Sequence, residues 1–142
     1  MDNYNVGLAL WDRWTEMWNG RPELALELAA PSFVLHLTQA AGRLIDPSTI
    51  NTPEAVVEWV RKHRARFTDL TFSTRVGPFV DANACVVAGP WVADTTTGGK
   101  PSWSCGMDTI AFRDGRITEY WTISVPVEDV ATWDRRLTPG FV

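Results

Sequence analysis

The sequence predicts an α+β fold, with helices in the first half and an antiparallel sheet in the second. Two observations predict it. Apolar residues recur at helical spacing up to Phe67, and the pattern changes to strands from Leu70 onward. Three hairpin signals, Asp81-Ala82-Asn83, Thr97-Gly98-Gly99-Lys100 and Asp114-Gly115, divide the second half into strands near 70–80, 84–95, 102–113 and 116–126. A run of helices followed by a meander is α+β order. The 142 residues fit a single domain, 1–142, with no repeat, linker or low-complexity segment.

Each element has a local cause. Residues 4–19 read as a helix, with Trp11, Trp14 and Trp18 on one face, and Asn19-Gly20 ends it. Pro22 sits near the first turn of a second helix, LALELAA, which runs to Pro31. Ser32 to Gln39 reads as a short strand, followed by a loop over 40–52 with a turn at Asp46-Pro47. Thr52 is a candidate N-cap and Pro53 a first helical residue for a third helix over 53–67. Val56, Val60, His63 and Phe67 share one face of it, with Trp59 beside them. A helical turn is expected around 127–136.

Composition excludes several classes. A net charge of −4 argues against nucleic acid, which wants a basic face. The basic run Arg61-Lys62-His63-Arg64-Ala65-Arg66 lies on a helix and reads as a solvated face. Cys85 and Cys105 sit in apolar strands and read as buried thiols rather than a disulfide. No metal-ligand spacing, basic leader or membrane-length apolar window occurs, so no metal, cofactor or membrane is expected, and the expected location is a reducing cytoplasm. Eight tryptophans are unusual for this length and call for a large apolar volume, a ligand or a partner.

The segment Gly106 to Trp121, GMDTIAFRDGRITEYW, carries the chemistry. Asp108 stands inside an apolar strand, where an unpaired carboxylate costs several kcal/mol. Such a group is either bonded to neighbouring hydroxyls as a structural residue or kept for chemistry. Strand parity puts Ser102, Ser104, Gly106, Asp108, Ile110 and Phe112 on one face, and Trp103, Cys105, Met107, Thr109 and Ala111 on the other. In the last strand Thr118, Tyr120, Thr122 and Ser124 share a face, opposite Ile117, Glu119, Trp121, Ile123 and Val125. Neither strand has a clean polar face. Helices cover one side, and a second copy of the chain is the simplest cover for the other. Small residues and hydroxyls beside Asp108 leave room for a cavity with a few convergent polar groups.

The order of elements, the Asn19-Gly20 break and the closing GMDTIAFRDGRITEYW resemble the NTF2-like superfamily over roughly residues 5–126. Within it the segment looks most like SnoaL-like polyketide cyclases and ketosteroid isomerases. The resemblance implies a cone, a curved sheet wrapped around helices with a deep apolar pocket. It also implies a homodimer through the outer sheet face, to which Trp91, Trp103 and Trp121 are assigned. Asp108 matches the strand aspartate that serves the isomerases as an oxyanion donor and the cyclases as an acid/base. Tyr120 stands where SnoaL-like proteins often carry a pocket-facing His, and Thr122 where the final Asp of that motif falls. The isomerase base would fall near Leu37 and its helix-one tyrosine near Arg13 or Trp14, so a steroid-isomerase mechanism is not expected.

The expected site is therefore Asp108, Tyr120 and His36 as catalytic groups, with His36 as the base, and Trp11, Trp14, Trp18, Trp59, His63, Ser104 and Thr122 around a hydrophobic substrate. The implied activity is cofactor-free cyclisation, isomerisation or dehydration of an apolar, carbonyl-bearing molecule of secondary metabolism, polyketide-like in character. Two alternatives stay open: a hydrophobic ligand-binding protein without chemistry, and a pericyclic cyclase working by shape alone.

Overall fold

A computed structural model describes residues 2–37 and 45–125. The helical turn expected at 127–136, and residues 38–44 of the first loop, lie outside the described residues. Helix α1 spans Asn3–Trp18, capped by the Asp2 carboxylate, which accepts from the Asn5 amide at 2.8 Å. Asn19 ends it. The Asn19 side chain makes a two-way bond with the backbone of Phe72, donating at 2.9 Å and accepting at 2.7 Å. This bond fixes the end of the tryptophan helix against the sheet.

A 3₁₀ turn at Pro22–Leu24 runs into a short helix α2, Ala25–Leu28. The helix stops before the expected Pro31 because the proline disfavours helical backbone at the preceding residue, and strand β1 begins at Ala29 and runs to Leu37. Helix α3 is Pro53–Ala65, with the Thr52 hydroxyl accepting from the Ala55 amide at 3.1 Å. Phe67 falls beyond its end. The strands that follow are β2 Thr68–Ser73, β3 Phe79–Asp81, β4 Val86–Thr97, β5 Lys100–Arg113 and β6 Arg116–Ser124. The single strand expected near 70–80 is split in two by Gly77-Pro78, since proline cannot donate to a ladder.

The sheet order is β1-β6-β5-β4-β2, with β3 also paired to β4. Its second-half strands are antiparallel, as expected, while β1 lies parallel to β6. The long connection between those two strands, which includes α3, permits a parallel pairing that a hairpin forbids. Asp114 and Gly115 both adopt positive φ, 51° and 74°, which is the two-residue turn that Asp-Gly favours. The β5–β6 register shifts between Ala111 and Phe112, so Phe112 faces Ile117. That bulge reverses parity at its site. Ile117, expected on the outer face, is fully buried in the main core with Met17, Phe33, Val56, Val60, Val87 and Ile110.

Helices cover only the inner face. On the outer face Val34, Met107, Trp121 and Ile123 are exposed. At one end of that face, Val92, Cys105 and Val125 form a second small cluster with Val76 and Trp103. Both cysteines are free thiols, Cys105 buried and Cys85 half-buried.

Candidate active site

Between the helices and the inner sheet face lies a cavity of about 550 Å³. Helix α1 gives it Trp11, Trp14 and Trp18, helix α3 gives Trp59 and His63, and the sheet gives Trp91, Ser104, Asp108, Tyr120 and Thr122. The indoles brace one another edge-on. Trp18 meets Trp59 at 4.8 Å and 89°, and Trp14 meets the Tyr120 ring at 4.9 Å and 60°. Trp11 donates to the Thr74 hydroxyl at 2.9 Å. The indole N–H groups of Trp14 and Trp18 are buried with no hydrogen-bond partner among the described residues.

The polar centre joins Asp108 to Trp91, Tyr120 and Thr122. Asp108 is 7% exposed, and both its oxygens are engaged. Oδ1 accepts from the Trp91 indole N–H at 2.7 Å, and Oδ2 accepts from the Tyr120 hydroxyl at 2.5 Å. Thr122 stands opposite Asp108 in the β5–β6 ladder. Burial raises the Asp108 pKa from an ordinary 3.8 to about 6, while the Tyr120, Thr122 and Trp91 donors pull it back down. Burial and the neighbouring carboxylate together push the Tyr120 hydroxyl well above its usual range, so it remains a donor. His63 is pushed down to about 4, first by burial and then by Arg66 and Arg64, and is neutral at pH 7. A carboxyl near 6 gives and takes protons close to neutral pH, and a neutral phenol beside it supplies a fixed donor.

Two expectations need correction. His36 is not in the cavity. It lies on the opposite sheet face, where its Nε2 is 2.8 Å from Glu119 Oε2 and its ring stacks on Trp121 at 5.0 Å. Strand alternation is the reason: the neighbours Leu35 and Leu37 point inward, Leu37 into the cavity wall. Trp91, assigned to the outer face, is instead in the cavity wall. The β4–β5 hairpin pairs Trp91 with Gly106 and Gly89 with Asp108, so Trp91 and Asp108 share a face. A Cβ on Gly106 would come within 2.4 Å of the Trp91 indole. The glycine therefore makes the slot in which this ring lies and from which it reaches Asp108. A glycine inside an apolar strand was the available signal. Arg66, Phe67 and Phe72 also line the cavity and are not among the expected site residues, although Phe67 is read on the same face as His63. The remaining expected residues do converge on one cavity.

Comparison with known proteins agrees with this fold. The profile of the SnoaL-like domain family matches residues 11–120. Among solved structures, IdmH from Streptomyces antibioticus, a candidate polyketide cyclase, is 29% identical and superposes with a TM-score of 0.68, covering 83% of this chain and 91% of its own. A loop-truncation variant of IdmH is 31% identical with a TM-score of 0.67, covering 87% and 92%. A candidate polyketide cyclase from Acidithiobacillus ferrooxidans, 23% identical with a TM-score of 0.68 over 94% and 96%, shares the fold. No curated protein matches the sequence. The helix-covered mixed sheet, the Trp-lined cavity and above all the family profile over residues 11–120 make this chain a member of the SnoaL-like domain family.

Proposed function

We propose that this protein is an acid–base cyclase or isomerase acting on an apolar, carbonyl-bearing, polyketide-like molecule. Family membership and the likeness to IdmH support the cyclase- or isomerase-type role. The observation that carries the chemistry is the buried Asp108 carboxyl, held between Trp91 and Tyr120 in an apolar wall and lifted to about 6. As a carboxylate Asp108 takes a proton from carbon next to the substrate carbonyl. As the acid it returns that proton to a different atom. As Asp108 gains that proton, the Tyr120 hydroxyl turns from Oδ2 and donates to the developing enolate oxygen, and the dry indole walls strengthen that bond. With His36 on the other face and Leu37 where relatives keep a carboxylate, Asp108 serves in both directions. The tryptophans contribute orientation and exclude water.

The test uses α-tetralone, a flat aromatic ketone, in D₂O. Wild-type protein is expected to accelerate deuterium uptake beside the carbonyl, and Asp108→Asn to reduce that acceleration by 10²-fold or more. Undiminished exchange in a folded Asp108→Asn variant would remove Asp108 from the mechanism and leave the pericyclic and pure-binding readings.

The protein is also proposed to work as a homodimer through the outer sheet face. Exposed Val34, Met107, Trp121 and Ile123 support this, because an apolar sheet face of this kind is normally covered. Trp91 takes no part in it, and Trp103 contributes at most its half-buried edge. Among the described residues no helix is long and apolar enough to cross a membrane.

A further inference from the structure

We propose that the substrate carries an anionic group, a carboxylate in the first instance, which Arg66 and Lys62 receive at the cavity mouth while its apolar body runs inward to Asp108. This rests on the reading of the cavity as a substrate site, and it adds the polarity and direction of the molecule that enters.

The cavity has two unlike ends. Its inner wall is the buried Asp108, Tyr120 and Thr122 group on β5 and β6. Its rim includes Arg66, the residue that ends α3, whose guanidinium sits 5.8 Å over the ring of Phe67. A second hollow of about 520 Å³ adjoins the first and shares Ile45, Trp59, His63 and Arg66 with it, adding Lys62. Arg66 therefore stands in the wall common to both.

Pairing and position together set these two cations apart, since Lys100 and Arg113, also without a carboxylate partner among the described residues, line neither hollow. Arg13, Arg21, Arg61 and Arg75 each have a carboxylate partner, Glu27, Glu16, Glu58 and Asp94 respectively. Arg64 is occupied by the carbonyls of Trp18 and Leu70. Arg66 and Lys62 pair with no carboxylate among the described residues. The two acids that line the second hollow are already engaged, Glu58 by Arg61 and Asp46 by the Ser48 amide and hydroxyl. Basic residues in the last turn of a helix offset its macrodipole, and that accounts for charge at the end of α3. It does not account for a guanidinium in the wall of an apolar cavity in a chain of net charge −4. His63, depressed partly by Arg66, shows that this cation's field reaches the inner face of α3. A planar guanidinium matches a carboxylate in two bonds, so Arg66 fixes orientation as well as attraction.

The experiment compares two fluorescent probes of one shape, cis-parinaric acid and its methyl ester, titrated against the intrinsic tryptophan emission. The acid is expected to bind about tenfold or more tightly than the ester, although the ester is the more apolar. Arg66→Gln and Lys62→Gln are each expected to narrow that ratio, Arg66→Gln more, with far-UV circular dichroism and thermal melts reporting that the variants are folded. Added salt is expected to weaken acid binding alone. Equal affinity for acid and ester, or a ratio unmoved in both variants, overturns the proposal, as does failure of the wild type to bind the acid. The acid-to-ester ratio is an equilibrium quantity that Asp108→Asn should leave intact. Failure here and failure of the Asp108 mechanism are thus read in different experiments.

Discussion

Removing the indole donor from Asp108 makes a sharp test of how the site sets its proton affinity. Trp91 Nε1 donates to Oδ1 at 2.7 Å, and this bond favours the ionised carboxyl. In Trp91→Phe the ring remains in the slot over Gly106 and the N–H is gone. A hydrogen bond to a charged group contributes roughly 1.5–3 kcal/mol. One pH unit corresponds to about 1.4 kcal/mol, so the Asp108 pKa should rise by about one to two pH units from its value of about 6. Water filling the space left by the smaller ring would act in the opposite direction, by relieving desolvation. The sign therefore separates the two effects. The measurement is the carboxyl C=O infrared band of Asp108 followed against pH, with Asp108→Asn as the subtraction control. The acid limb of the deuterium-exchange profile should move upward with it. An unchanged or lowered pKa in Trp91→Phe would refute the claim that Trp91 tunes Asp108.

Other predictions follow from the same residues. Because the Asp108 pKa is higher in the folded chain than the ordinary 3.8, its stabilising contribution is complete below about pH 4 and is lost as pH rises through about 6. Asp108→Asn should thus be about 3 kcal/mol more stable than wild type at pH 8 and close to it at pH 4, by urea unfolding at both pH values; a variant no more stable at pH 8 contradicts the assigned burial cost. Gly106→Ala places a Cβ 2.2 Å from the Ile123 carbonyl and 2.4 Å from the Trp91 ring, so it should cost about 1–3 kcal/mol or more in thermal melts. A loss under ~0.5 kcal/mol would show that the slot is not tight. Trp121→Glu puts a charge at the centre of the exposed apolar face and should give a monomer by light scattering; a monomeric wild type, or a dimer that survives the change, removes this face as the interface.

The fold was legible because its signals were local. Turn residues, the Thr52-Pro53 cap and the change of period at Leu70 each act within a few residues, and α1, α3, β4, β5 and β6 appear where they point. What escaped the reading depended on pairing between strands. Parallel β1–β6 joins segments more than eighty residues apart, and nothing near either one announces it. The bulge at Ala111/Phe112 breaks alternation, so counting parity through Asp114-Gly115 misplaced Ile117 but kept Tyr120 and Thr122. Trp91 was misassigned because the register was not carried back across the Gly98-Gly99 turn, where pairing Thr97 with Lys100 already sets it opposite Gly106. His36 was drawn inward by its place beside a family position rather than by its own alternation with Leu35 and Leu37. Arg66 belonged to a basic run whose ordinary meaning is solvation, and only the cavity separates it from that run.

The central claim is that Tyr120 meets the reacting oxygen while Asp108 faces the carbon beside it. The most direct measurement is a crystal structure of the protein with emodin, a flat polycyclic polyketide, bound in the cavity. The account predicts a ligand carbonyl or phenolic oxygen within ~3 Å of the Tyr120 hydroxyl, with the ring carbon beside it against the Asp108 carboxyl. A ligand whose oxygens all face the cavity mouth, with none near Tyr120, would contradict it.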